Sequence, residues 1–95
     1  MINLTGTVDK IRVLQFTAQP LVRFTLITND KNVNCLISLH SLSFLADVDE
    51  GMQLSILGLY NKRNQFVTRK YNAIGKTKIM YEFEHSVYPK SKALL

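Results

Sequence analysis

Between Tyr60 and Lys78 the chain carries six cations (Lys62, Arg63, Arg69, Lys70, Lys76 and Lys78) and no acid. The rest of the sequence holds six basic and seven acidic side chains, so the whole excess of +5 originates in this stretch. Tyr60, Phe66 and Tyr71 lie among the charges. Cations interleaved with aromatic rings suit a polyanion that also presents flat bases: the cations follow phosphates and the rings stack. The plainer reading is a solvated hairpin whose aromatics face inward. Arg12, Arg23 and Lys31 are further candidate phosphate contacts, and Phe16 is either a stacking ring or a plug for the core.

Other chemistry finds little footing. His40 and His85 stand alone, without a cysteine or carboxylate at metal-ligand spacing. Asp47, Asp49 and Glu50 cluster closely enough to hold a cation, but a solvated turn is the expectation there. No glycine loop for phosphate and no nucleophile motif is present. We therefore expect a non-enzyme with no catalytic residue, cofactor or metal. The single cysteine, Cys35, sits in an apolar alternation and reads as a reduced core residue. No apolar run is long enough to span a bilayer, and MINLTGTVDK lacks a signal-peptide pattern, so a cytoplasmic protein without membrane partners is expected.

Positioning these side chains falls to a series of short elements. Ninety-five residues, 46% of them hydrophobic, make one domain with a single core. Residues 2–14 are rich in β-branched side chains and predict a first strand, with Gly6 marking a bulge or sharp bend. A loop over 15–20 leads to a second strand over 21–28, in which Val22, Phe24 and Leu26 share a face. The turn Asn29–Asn32 precedes a third strand over 33–39, with Val33, Cys35, Ile37 and Leu39 on one face. Residues 41–48 place Leu42, Leu45 and Ala46 at helical spacing, with Phe44 beside them and Ser41 able to cap. Strands over Met52–Tyr60 and Gln65–Ile74 follow, joined by a basic turn at Asn61–Asn64. Alternation puts Arg69 and Tyr71 on one face of the last strand and Lys70 on the other. Which of Phe66 and Tyr71 is exposed depends on the hairpin register, and Tyr71 is the better candidate.

Three strands, a short helix and two more strands is the order of an all-β, five-stranded oligonucleotide-binding barrel. An SH3-like barrel and an open sheet packed on the helix are the competing arrangements. In the barrel, Lys62 and Arg63 occupy a flexible turn that closes over a ligand. Residues 1–78 would form this domain. Residues 79–95, where Ile79, Tyr81 and Phe83 alternate with Glu82 and Glu84, would add a strand or an oligomer contact.

Spaced landmarks also resemble a family. They are Gly6-Thr7-Val8, Pro20 leading into the Phe24–Asp30 run, Gly51 opening the fourth strand, Leu54-Ser55-Ile56-Leu57-Gly58 at its centre, and Lys62-Arg63 after it. Over roughly residues 4–75 the chain is similar to bacterial and phage single-stranded DNA-binding proteins and to the primosomal replication protein that shares their fold. The resemblance implies sequence-nonspecific binding of single-stranded DNA in replication, recombination or phage and plasmid DNA metabolism, with replication proteins as partners. The strand-like C-terminal extension on a small barrel suggests a homo-oligomer, a homodimer first and a tetramer next. RNA binding, or a protein-interaction role on the same barrel, is the alternative. The sequence departs from the family in lacking tryptophan and a glycine- and proline-rich tail with an acidic tip. A compact phage, plasmid or accessory replication protein fits that departure.

Overall fold

The computed structural model describes residues 1–74. Lys76, Lys78 and the expected C-terminal strand lie outside them. The elements are β1 (Ile2–Gln15), β2 (Leu21–Ile27), β3 (Asn32–Ile37), α1 (Ser41–Asp47), β4 (Gln53–Tyr60) and β5 (Phe66–Ala73). They form a closed barrel in the order β1-β2-β3-β5-β4, with the helix between the third and fourth strands, matching an oligonucleotide-binding barrel. All pairings are antiparallel except β3 with β5, which run parallel through Cys35–Ile37 and Phe66–Thr68.

Closure depends on β1 serving two neighbours. Ile2 through Thr7 pair with β4, and Thr7 through Gln15 pair with β2. Gly6 lies where the strand changes partner. A Cβ there would overlap the carbonyl oxygen of Ile27, so only glycine lets β1 and β2 approach. No bulge falls at Gly6; the bulges of β1 lie later, between Asp9 and Arg12 and between Val13 and Gln15.

Alternation supplies the core. Val22, Phe24, Leu26, Val33, Cys35, Ile37, Leu54 and Ile56 point into the barrel. Phe44 of α1 plugs one end, its ring 4.7 Å from that of Phe24 and edge-on to Tyr71 at 5.5 Å.

The helix reverses two expectations. Its buried side is Ser41 and Phe44, while Leu42 and Ala46 are exposed. One large ring filling the barrel mouth outweighs the leucine spacing. Ser41 is the first helical residue, not the cap: His40 takes the N-cap position at φ 63° with no side-chain hydrogen bond, and the Ser41 hydroxyl is buried without a partner. Leu39 is likewise outside the core, because β3 ends at Ile37 and the chain leaves the sheet to enter the helix.

Candidate nucleic-acid interface

The outward faces of β1, β2 and β3 carry the most coherent basic surface among the described residues. Register sets Arg12 directly opposite Arg23, and Asp9 opposite Thr25 opposite Asn34. Of these, Arg12, Arg23, Thr25 and Asn34, with Lys10 from the β1 bulge and Asn32, line an open groove of about 390 Å³ floored by Val33. Like charges placed opposite one another on a sheet repel, so the Arg12–Arg23 pair costs the free protein stability that an anion between them would return.

The groove continues past Asn32 and Asn34 into a smaller hollow bounded by Lys31, Tyr60 and Asn64. There the Lys31 ammonium lies 5.7 Å from the centroid of the Tyr60 ring, a cation–π contact joining the β2–β3 and β4–β5 turns. Tyr60 is half-buried and stands edge-on to Phe66 at 5.2 Å. At the opposite end of the face, beyond Gln15, Phe16 is 87% exposed. That exposure removes its reading as a core plug. The face is therefore a trough with cations and amides along its length and one aromatic ring near each end.

Lys62 and Arg63 top the β4–β5 turn, which is closed by its own hydrogen bonds. The Asn61 carboxamide oxygen accepts from the backbone N–H of Arg63 and of Gln65, both at 2.9 Å. Its amide donates to the Gln65 side chain at 3.0 Å, and the Asn61 N–H donates to the Gln65 carbonyl. One asparagine thus pins a four-residue turn. Asn64 takes the left-handed conformation at φ 61° that closes it. The two cations stand on the tip of this turn, beside the trough.

The rest of the basic hairpin points elsewhere. Gly58 pairs with Thr68 and Leu57 with Lys70, so Arg69 is the extra residue of a bulge. The inward phase passes from Phe66 and Thr68 to Tyr71, leaving Arg69 and Lys70 both exposed. The expected sharing of a face by Arg69 and Tyr71 fails for that reason. Lys70 lines a separate hollow with Asn3, Ser55 and Leu57, on the wall formed by β4, β5 and the first half of β1.

Phe66 is wholly buried and has no face to offer a base. Tyr71, favoured over Phe66, is the one that keeps partial exposure and lines the hollow beside Lys70. Its ring packs edge-on against Phe44, and its hydroxyl donates to an Asp47 carboxylate oxygen at 3.3 Å. Burial, then the Asp47 charge, raises its pKa above the usual phenol value.

Five trough residues were missed in sequence: Lys10, Thr25, Asn32, Asn34 and Asn64. A signal for two pairs existed. Arg23 and Thr25 alternate with buried Val22, Phe24 and Leu26, and Asn32 and Asn34 with Val33 and Cys35, so the outward row was legible wherever the inward one was. The acids at the end of α1 are each engaged separately: Asp47 by Tyr71, Asp49 by the Glu50 N–H, and Glu50 by the Ile11 N–H. Among the described residues no three potential ligands gather to hold a metal, and no helix is long and apolar enough to cross a membrane. No protein-family model matches the sequence, and no curated protein matches it.

Proposed function

We propose that this chain binds single-stranded nucleic acid, DNA foremost, without sequence preference, through the trough on β1, β2 and β3. The observation that carries the reading is the opposed Arg12–Arg23 pair, continued by Lys10 and Lys31 along one open face. A phosphate placed between two facing guanidiniums relieves their repulsion and takes charge-assisted hydrogen bonds from both. Phe16 and Tyr60 supply π-faces at the ends, and Lys62 and Arg63 meet the backbone as it passes the β4–β5 turn. The carboxamides of Asn32 and Asn34 both donate and accept, so they hydrogen-bond any base edge and impose no sequence.

The landmarks shared with single-stranded DNA-binding and primosomal replication proteins support a role in replication, recombination or phage and plasmid DNA metabolism. On the same footing we propose that the protein acts in the cytoplasm as a homodimer alongside replication proteins. A second reading, an interaction module docking on an acidic protein, rests on the exposed Lys62–Arg63 tip.

The test is a titration of labelled oligothymidine, duplex DNA and RNA of equal length against the wild type and an Arg12→Glu/Arg23→Glu variant. The single strand is expected to bind most tightly, with a log–log salt slope near −3 for about four phosphates. The double reversal is expected to remove binding while the barrel stays folded. A tighter RNA complex would reassign the ligand. Absence of binding to all three at low salt would leave the interaction module.

A further inference from the structure

The β1 bulge contains an arrangement that a plain strand has no use for. Lys10 adopts φ 52°, a left-handed conformation that a lysine reaches only at a steric cost. Successive N–H groups around such a residue form a concavity that receives an anion. Both N–H groups are met by carboxylates: Lys10 donates to Asp9 Oδ1 and Ile11 to Glu50 Oε2, each at 2.9 Å. Glu50 comes from 39 residues away, on the turn after α1. That turn is fastened beside β1 by the Gly51 N–H on the Val8 carbonyl and the Val8 N–H on the Met52 carbonyl. The same Glu50 oxygen lies 3.9 Å from Arg12 Nη1. Arg12 is the residue in register with Arg23, and both line the trough.

We infer that this bulge is a seat for one phosphate group of the ligand, occupied in the free protein by the Glu50 carboxylate, which the phosphate displaces. The inference rests on the nucleic-acid reading for its ligand but not for its chemistry. A carboxylate and a phosphate compete for the same two partners, the Ile11 N–H and the Arg12 guanidinium. Glu50 and Arg12 are both substantially exposed, so their attraction is weak and readily exchanged. The phosphate brings more negative charge than Glu50 and arrives on a strand running through the neighbouring groove, which Lys10, Arg12 and Arg23 line. Glu50 thereby keeps Arg12 and the Ile11 N–H partnered when no ligand is bound, and lowers affinity by the strength of the contact it must give up.

Glu50→Gln tests this, since the amide oxygen still accepts from Ile11 while the charge is gone. Asp47→Asn removes an equal charge near the same turn without approaching Arg12 and serves as the control. Glu50→Gln is expected to bind labelled oligothymidine about three- to fivefold tighter than wild type, against less than about twofold for Asp47→Asn. Inorganic phosphate, followed by ¹⁵N amide shifts, is expected to move the Ile11 and Arg12 resonances at lower concentration in Glu50→Gln and Glu50→Ala than in wild type. Equal oligothymidine affinities for Glu50→Gln and Asp47→Asn, where wild type binds, would overturn the seat. So would an Ile11 amide that ignores phosphate in both Glu50 variants. Should no form bind oligothymidine while Ile11 still responds to phosphate, the seat stands and the nucleic-acid reading falls.

Discussion

Phe16 and Phe66 are both phenylalanines near the basic surface, and burial alone separates their roles. Phe16 makes its case by standing in solvent at the end of the trough, Phe66 by filling the barrel under Tyr60. Phe16→Ala should leave the melting temperature unchanged and weaken oligothymidine binding roughly tenfold, the value of one lost base stack. Phe66→Ala should instead cost about 3–5 kcal/mol of stability in a urea titration, as large-to-small core changes do. Cys35 gives a second residue-level expectation. Burial, only partly offset by a hydrogen bond to the backbone of Leu26, pushes its thiol from 9.0 up to about 12. Below pH 9 the thiol is protonated in both folded and unfolded chains and stability is undiminished. Between pH 9 and about 12 the unfolded chain ionises first, so stability falls as pH rises, by at most about 4 kcal/mol. Tyr71, also raised, adds to the fall above its usual value of 10.0. Urea midpoints at pH 8 and pH 11 should therefore differ, and Cys35→Ala should remove most of the difference.

The bulge in β5 decides which of the hairpin's charges face which way. It depends on Gly58, where an added Cβ would overlap the Val67 carbonyl oxygen and crowd the Phe66 ring at 3.0 Å. Gly58→Ala should destabilise the barrel by about 3 kcal/mol or more, read as a drop in melting temperature or a failure to fold. The elements themselves were legible, because strands with one buried face alternate strictly: Val22, Phe24 and Leu26, then Val33, Cys35 and Ile37, declare their pairing without help. The bulge was not legible. It shifts the phase of β5 by one residue after Thr68, and nothing in Thr-Arg-Lys-Tyr marks where the extra residue falls. Arg69 was on that account expected to share a face with Tyr71. Density of charge also drew attention to β5, whereas the trough draws its cations singly from β1, β2 and the β2–β3 turn. Residues that register alone brings together, such as Arg12 and Arg23, leave no local trace in a sequence.

At the scale of the whole molecule, the order of elements and their closure into a barrel were both expected from the sequence, through the helix placed between the third and fourth strands, and both are present. The seam that shuts the barrel was not readable. The parallel seam of β3 with β5 spans only three residue pairs and has no signature of its own. Closure is what sets the two walls apart, putting Arg12 and Arg23 on one and Lys70 on another. It also governs the time course of folding, through the strand that serves two neighbours. The β1–β2–β3 meander can zip from its turns, but Ile2 through Thr7 find their partners only at Gly58 through Gln53, after most of the barrel has been made. Closing so long a loop is slow, and barrels of this kind fold over milliseconds to seconds. Pulsed hydrogen exchange should show the β2–β3 amides protected before those of Asn3–Gly6. The Ile2–Thr7 segment is thus among the last to be secured. Until they are, β4 presents an unpaired apolar edge to every neighbouring chain, and that interval is when a crowded nascent population of this protein is most exposed to aggregation.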